Sequence, residues 1–333
     1  MLDIMPSDAI QVVVGIITNE KGEVLLAKRP PDVHQGGLWE FPGGKQEQDE
    51  EVRSALKREL MEELGMLVKR ARPYIKLYYD YPEKSVVLNV WLIQEWEGVP
   101  YGKEGQLIRW YGRNCLNEIE ILPANEAIIK AIKLPPLYLI SPGPAADRLN
   151  EFISGIEESI VAGARLLQLR CHEEFYKIHP EVIQKILTIC NAHNAMLLVN
   201  AIPTTAASLN VHGVHLNSVR LLQLNERPLD CNFRISASCH NKIELSHAER
   251  IGVDFAVLSP VQFTSSHPDA IPMGWKKFKE IVDNANIPVY ALGGMLPIHM
   301  DTAWECGAHG IAMLSGIWSS GNPAEVIRQC INV

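Results

Sequence analysis

The chain has 333 residues, 47% of them hydrophobic and 21% charged, with a formal net charge of −8. That length exceeds what one core usually organises, so two globular domains are expected, and the acidic balance excludes a protein that tracks a nucleic-acid polymer with a basic face. No run of about twenty apolar residues is present to span a membrane; the opening MLDIMPSDAI shows no secretory pattern, and seven cysteines without a C-x-x-C pair argue for a reducing, cytoplasmic setting rather than a zinc or disulfide framework.

In chain order, residues 11–18 (QVVVGIIT) are β-branched and apolar, and Asn19-Glu20-Lys21-Gly22 turns them toward Glu23-Val24-Leu25-Leu26-Ala27, a predicted hairpin. Pro30-Pro31-Asp32 opens a loop carrying His34 and Gly36-Gly37, and Leu38-Trp39-Glu40-Phe41 returns as a short strand before the turn Pro42-Gly43-Gly44. A helix is expected over about 50–64, and residues 75–81 and 86–95 read as strands around Pro82-Glu83-Lys84. A mixed sheet with helices packed on it follows. On the helix, Glu59, Glu62 and Glu63 stand at i, i+3 and i+4, so three carboxylates crowd one face. Arg53, Lys57 and Arg58 would suit an ordinary solvated helix, but the glycine turn before it and Gly65 after it suit a helix that gathers oxygen ligands for a hard divalent cation.

Residues 44–66, GKQEQDEEVRSALKRELMEELGM, closely resemble the Nudix box of hydrolases that cut nucleoside diphosphates linked to another group. The wider stretch looks like the MutT type, which hydrolyses oxidised purine deoxynucleoside triphosphates, notably 8-oxo-dGTP, to the monophosphate and pyrophosphate. Lys28-Arg29-Pro30-Pro31-Asp32-Val33-His34, Glu40-Phe41-Pro42-Gly43-Gly44, Gly102-Lys103-Glu104-Gly105-Gln106 and Leu122-Pro123-Ala124-Asn125-Glu126 carry that likeness. It implies a Nudix α/β/α sandwich over residues 1–133 and a small-molecule nucleotide substrate. By the same resemblance, Glu59, Glu62 and Glu63 bind Mg²⁺, or Mn²⁺ in its place, with the Gly44 carbonyl and Glu104 in support. Glu59 also activates water, Arg58 orients the carboxylates, Arg29 meets the nucleotide phosphate, Phe41 lines the base pocket and Asn125 reads the purine edge. Taken singly, Phe41 reads as core, Asn125 as a helix N-cap and Glu104 as a loop charge; it is their order that lifts them. Lys84 stands where the family has an arginine on the nucleotide, which keeps charge and loses planar donors.

Lys133-Leu134-Pro135-Pro136 reads as a linker. Beyond it, about eight short apolar strands alternate with helices near 147–162 and 179–193 and onward, which suggests a (β/α)₈ TIM barrel over residues 134–333. Gln168-Leu169-Arg170, Asn200, Gly213-Val214-His215-Leu216, Ser238-Cys239-His240, Ser259-Pro260-Val261-Gln262-Phe263-Thr264, Gly293-Gly294 and Ser315-Gly316 resemble thiamine phosphate synthase and its relative TenI. Gly293, Gly294, Ser315 and Gly316 are candidates for a phosphorylated ligand, and His215 and His240 for a TenI-like role. The synthase's lysines and metal-binding aspartates are replaced, at Cys171-His172-Glu173, at Asn200-Ala201, within Asn217-Ser218-Val219-Arg220 and within Ser265-Ser266-His267. A barrel of degenerate active site is therefore expected. A bifunctional enzyme with synthase or TenI-like activity, and a Nudix hydrolase of thiamine-related pyrophosphates with a ligand-binding barrel, stand as alternatives. No motif encodes an oligomeric state.

Overall fold

A computed structural model describes residues 9–145, 147–264 and 269–331, so the readings made above for the start of the chain and for Ser265-Ser266-His267 lie outside the described residues. The chain divides into two compact units, Met1–Lys133 and Leu134–Val333.

The first unit runs β1 (Ile10–Ile17), β2 (Val24–Lys28), β3 (Trp39–Glu40), β4 (Gly43–Lys45), α1 (Val52–Leu64), β5 (Leu67–Tyr81), β6 (Lys84–Glu97), β7 (Ile108–Tyr111) and α2 (Glu126–Ile132). A mixed four-stranded sheet has the order β4-β1-β6-β5, with β1 parallel to β6, and a three-stranded antiparallel sheet has the order β3-β2-β7. Alternation along β1 sets the layers. Val13 and Ile17 join Leu56, Leu60 and Leu64 of α1 in one buried cluster, while Val14 and Ile16 join Ile128, Ile129 and Ile132 of α2 in the other. The α/β/α sandwich follows from that period of two.

The expected hairpin of β1 and β2 does not form; an isolated bridge between Thr18 and Val24 is their link. Both edges of β1 are already taken by β4 and β6, and β2 is drawn off to β3 and β7. The strand expected from residue 75 begins at Leu67. Lys69-Arg70-Ala71-Arg72-Pro73 masks the strand pattern, and the register shifts along this part of the β5–β6 pair, the last between Pro73 and Ile75, where a proline is tolerated. Helix α1 starts with Glu51, whose carboxylate accepts from the Ser54 N–H, and stops at Gly65, left-handed at φ 65°.

In the second unit, β8 (Leu137–Ile140), β9 (Leu166–Leu169), β10 (Met196–Val199), β11 (Gly213–Leu216), β12 (Arg234–Cys239), β13 (Phe255–Leu258), β14 (Val289–Ala291) and β15 (Gly310–Met313) form a closed parallel barrel, β15 pairing back onto β8. Outward residues such as Leu167, Leu197, Val214 and Ile235 cluster with Ile156, Ile160, Ile183 and Ile186 of the surrounding helices. Inward ones, Tyr138, Leu166, Leu198, Phe255 and Tyr290, fill the interior. Gln168, His215 and Ser236 are buried polar exceptions. Among the described residues no helix is long and apolar enough to cross a membrane.

Candidate active site and barrel pocket

In the first unit, the strand-and-turn from Phe41 to Gly44 anchors two groups of side chains. The Phe41 N–H donates to Asn125 Oδ1 at 2.9 Å, and two residues on the Gly43 N–H donates to Glu63 Oε2 at 3.1 Å. Asn125 is 4% exposed and stands at the N-cap position of α2, but its side chain makes no cap hydrogen bond there and is given to Phe41 instead. Phe41 is both core, at 2% exposed, and wall of a cavity of about 110 Å³ that Arg29, Glu40, Tyr81, Lys84 and Asn125 also line. Arg29 is engaged from within: Nη1 donates to Glu40 Oε2 at 2.6 Å and Nε to the His34 carbonyl at 3.1 Å. Lys84 stands 5.8 Å from the centre of the Tyr81 ring.

On α1, Arg58 is the hub. Its Nε and Nη2 grip both oxygens of Glu50, at 3.0 and 2.8 Å, while Nη1 reaches Glu59 at 2.8 Å and Glu62 at 3.2 Å. The guanidinium holds Glu50 below the usual carboxylate range. Burial raises Glu59 against the opposing pull of Arg58, with Glu62 and Glu104 adding repulsion. Burial also pushes Glu63 up to about 8, although the Gly43 N–H opposes it, and Glu40, Glu104 and Glu59 contribute further repulsion. Gly44 lies directly against the tip of Glu59: a Cβ there would stand 2.2 Å from Oε2.

These donors fit a hard cation in kind, being oxygens only and carrying more negative charge than Arg58 neutralises. They are not gathered into a closed ligand set: among the described residues no three acidic, histidine or cysteine side chains converge on one point. Glu40 is the residue the sequence reading passed over. It links Arg29 to the surroundings of Glu63, and burial raises its carboxyl against the Arg29 charge. Its only signal is its place at the head of Glu40-Phe41-Pro42-Gly43-Gly44.

At the C-terminal ends of the barrel strands lies a cavity of about 650 Å³, which Gln168, Arg170, Asn200, His215, Ser238 and His240 line on one side and Gly293, Gly294, Ser315 and Gly316 on the other. His215 is 2% exposed, with Nδ1 2.7 Å from Ser236 Oγ and Nε2 2.8 Å from Ser238 Oγ, and burial lowers its pKa to about 3. His240 is half-exposed, its Nδ1 2.9 Å from Glu244 Oε2. Cys239 is buried, which raises its thiol pKa and suits packing. Arg220 Nη1 donates to Asn200 Oδ1 at 2.8 Å and Nη2 reaches Glu173 at 3.4 Å, so a fixed cation occupies the neighbourhood of Asn200.

The family profile described as a Nudix domain matches residues 13–131, and that described as thiamine monophosphate synthase matches residues 137–317. The 8-oxo-dGTP diphosphatase of Escherichia coli is 41% identical over 124 residues, which are 37% of this chain and 96% of that protein. The putative thiamine-phosphate synthase 2 of Aquifex aeolicus is 36% identical over 191 residues, 55% of this chain and 98% of that protein. A solved thiamine phosphate pyrophosphorylase from Pyrococcus furiosus aligns at 23% identity and TM-score 0.49, over 60% of this chain and 94% of that one. The chain belongs to the thiamine monophosphate synthase/TenI family through its barrel and to the Nudix family through its first unit, a MutT-type hydrolase acting on phosphoanhydrides.

Proposed function

We propose that the first unit is a Mg²⁺-dependent nucleoside triphosphate pyrophosphohydrolase that cleaves 8-oxo-dGTP to 8-oxo-dGMP and pyrophosphate, sanitising the nucleotide pool. The observation that carries this reading is the pair of amides two residues apart: Phe41 holds the Asn125 amide in the pocket, and Gly43 holds Glu63 on the carboxylate helix. Base recognition and phosphoanhydride chemistry thereby share one rigid segment. Because Oδ1 of Asn125 takes the Phe41 N–H, the orientation of its amide is decided, and Nδ2 is left as a donor. The second lone pair of Oδ1 suits a purine whose N7 carries a hydrogen, as the 8-oxo form does, and repels the bare N7 acceptor of guanine.

Mg²⁺, when bound by Glu59, Glu62, Glu63, Glu104 and the Gly44 carbonyl, supplies positive charge to the phosphate oxygens. Glu59 takes the proton of the attacking water, Arg58 holds that carboxylate in place, and Arg29 and Lys84 supply cationic contacts to the nucleotide. The barrel is a ligand-binding module for a small phosphorylated molecule. The guanidinium of Arg220 on Asn200 supports a degenerate rather than a synthase site, since it fills with fixed charge the place where the family would carry a metal pair.

Steady-state hydrolysis of 8-oxo-dGTP, dGTP and thiamine pyrophosphate tests the reading. A clear preference for 8-oxo-dGTP is expected; equal rates on 8-oxo-dGTP and dGTP would remove the sanitising role, and preference for thiamine pyrophosphate would establish the alternative substrate. Glu59→Gln is expected to lower kcat by about 10²–10⁴-fold, and full activity in that variant would overturn the assignment of the base.

A further inference from the structure

The loop over 98–107 lies across the end of α1 and accepts the role that solvent usually plays there. The Tyr101 N–H donates to the Leu64 carbonyl at 3.2 Å, the Lys103 N–H to the Glu63 carbonyl at 3.0 Å and Lys103 Nζ to the Met61 carbonyl at 3.0 Å. The Leu64 and Glu63 carbonyls are among those a helix end leaves without internal partners, while the Met61 carbonyl also accepts from the Gly65 N–H at 3.2 Å. One side chain does more than cap. Gln106 Nε2 donates to the Glu63 carbonyl at 2.9 Å, while Gln106 Oε1 accepts from the Glu104 N–H at 3.0 Å. A single amide thus ties the backbone of one carboxylate residue to the backbone of the other. Gln106 is half-buried, whereas Glu104 is exposed.

We propose that Gln106 is a positioning residue for the hydrolase, setting the place of the Glu104 carboxylate relative to Glu59 and Glu63; this rests on the metal-dependent reading above. The physical case is one of leverage. A hydrogen bond of this kind contributes little to net stability, and three other donors already hold the loop to α1. The turn from Gly102 to Gly105 is closed by the Gly105 N–H on the Gly102 carbonyl at 3.0 Å, and within it the Glu104 N–H is aimed at the Gln106 side chain. Gln106 holds it. Partners that orient a metal ligand without touching the metal commonly account for a 10–100-fold difference in affinity, far more than their share of stability.

The test uses the full chain and Mn²⁺ titrated by electron paramagnetic resonance, so that binding is read apart from turnover. Gln106→Met is expected to raise the Mn²⁺ Kd about tenfold or more, with a melting temperature near the parent's. Gln106→Asn, which keeps an amide but shortens its reach, is expected to do the same. Glu104→Gln should produce a loss of similar size, and the double variant should lose little beyond either single one, because both act through one carboxylate. In turnover, the apparent KM for Mg²⁺ rises while kcat at saturating metal stays within about twofold. An unchanged Kd in Gln106→Met, or losses that multiply in the double variant, overturns the proposal. If the parent binds Mn²⁺ and Glu63→Gln abolishes binding while Gln106→Met leaves it intact, this proposal alone falls. If the parent binds no Mn²⁺, the metal reading of α1 falls with it.

Discussion

Gly43 and Gly44 are neighbours in the turn but have different jobs, and substitution separates them. Gly43 sits at φ +149°, and a Cβ there would stand 2.0 Å from the Val13 carbonyl, a backbone atom that cannot step aside. Gly43→Ala is expected to destabilise the first unit by roughly 2 kcal/mol or more, read as a fall in its melting temperature. A Cβ on Gly44 meets instead the tip of Glu59. Gly44→Ala should therefore leave melting nearly unchanged and depress hydrolysis, because a side chain can rotate away where a strand cannot. His215 offers a second test at this scale. Burial depresses its folded pKa to about 3 from an ordinary 6.5, so below pH 6.5 the unfolded chain takes up a proton that the folded barrel refuses. The contribution is present above pH 6.5 and is lost as pH falls toward 3, at up to about 1.4 kcal/mol per pH unit. His215→Gln is expected to flatten that part of the barrel's stability-against-pH curve; equal slopes in parent and variant would contradict the buried neutral imidazole. At both places the residue type was legible in the sequence, but the atom it meets was not.

Helix α1 is the element on which both packing and chemistry depend. One face, Ala55, Leu56, Leu60 and Leu64, is fully buried, and Glu59 and Glu63 lie half-buried beside it, with Arg58 and the exposed Glu62 further round the helix. The buried face sets the rotation of the helix and hence where the carboxylates point. Leu60→Ala, at a site with 0% exposure beside Gly15, is expected to destabilise the unit by about 2–5 kcal/mol. Denaturant unfolding measures it, and a change under about 1 kcal/mol would mean that the site collapses around the lost atoms. The ends of α1 were readable from sequence to within two residues, because Gly65 and the periodic leucines are local signals. The edges of the sheet were not. Strand β4 is Gly43-Gly44-Lys45, with no strand propensity of its own, and exists because Val12, Val13 and Val14 offer it a partner. The start of β5 hides behind a basic run that pairs with β6 along an exposed border, where Arg70 meets Glu95 at 2.9 Å.

At the scale of the molecule, each buried cluster of the described residues belongs to one unit, two to the first and two to the barrel. Calorimetry of the full chain is expected to resolve two transitions. A phosphorylated thiazole should raise the barrel's transition by mass action, and Mg²⁺ with a nucleotide product should raise the other. One transition moved by both ligands would show coupling that separate cores do not provide. The sequence by itself determined the order of the two folds, the carboxylate helix with its Gly65 stop, and the replacement of the barrel's lysines and aspartates. Each of these is written in local spacing or in residue identity at motif positions. Only the tertiary structure decided that Asn125 binds Phe41 rather than capping its helix, that Glu40 holds Arg29, that Gln106 bridges Glu63 and Glu104, and that Arg220 lies on Asn200. Each of these joins residues well separated in sequence, from 11 positions for Arg29 and Glu40 to 84 for Phe41 and Asn125. A hydrogen bond across such a gap leaves no periodicity in the chain. It appears when burial removes water as the competing partner.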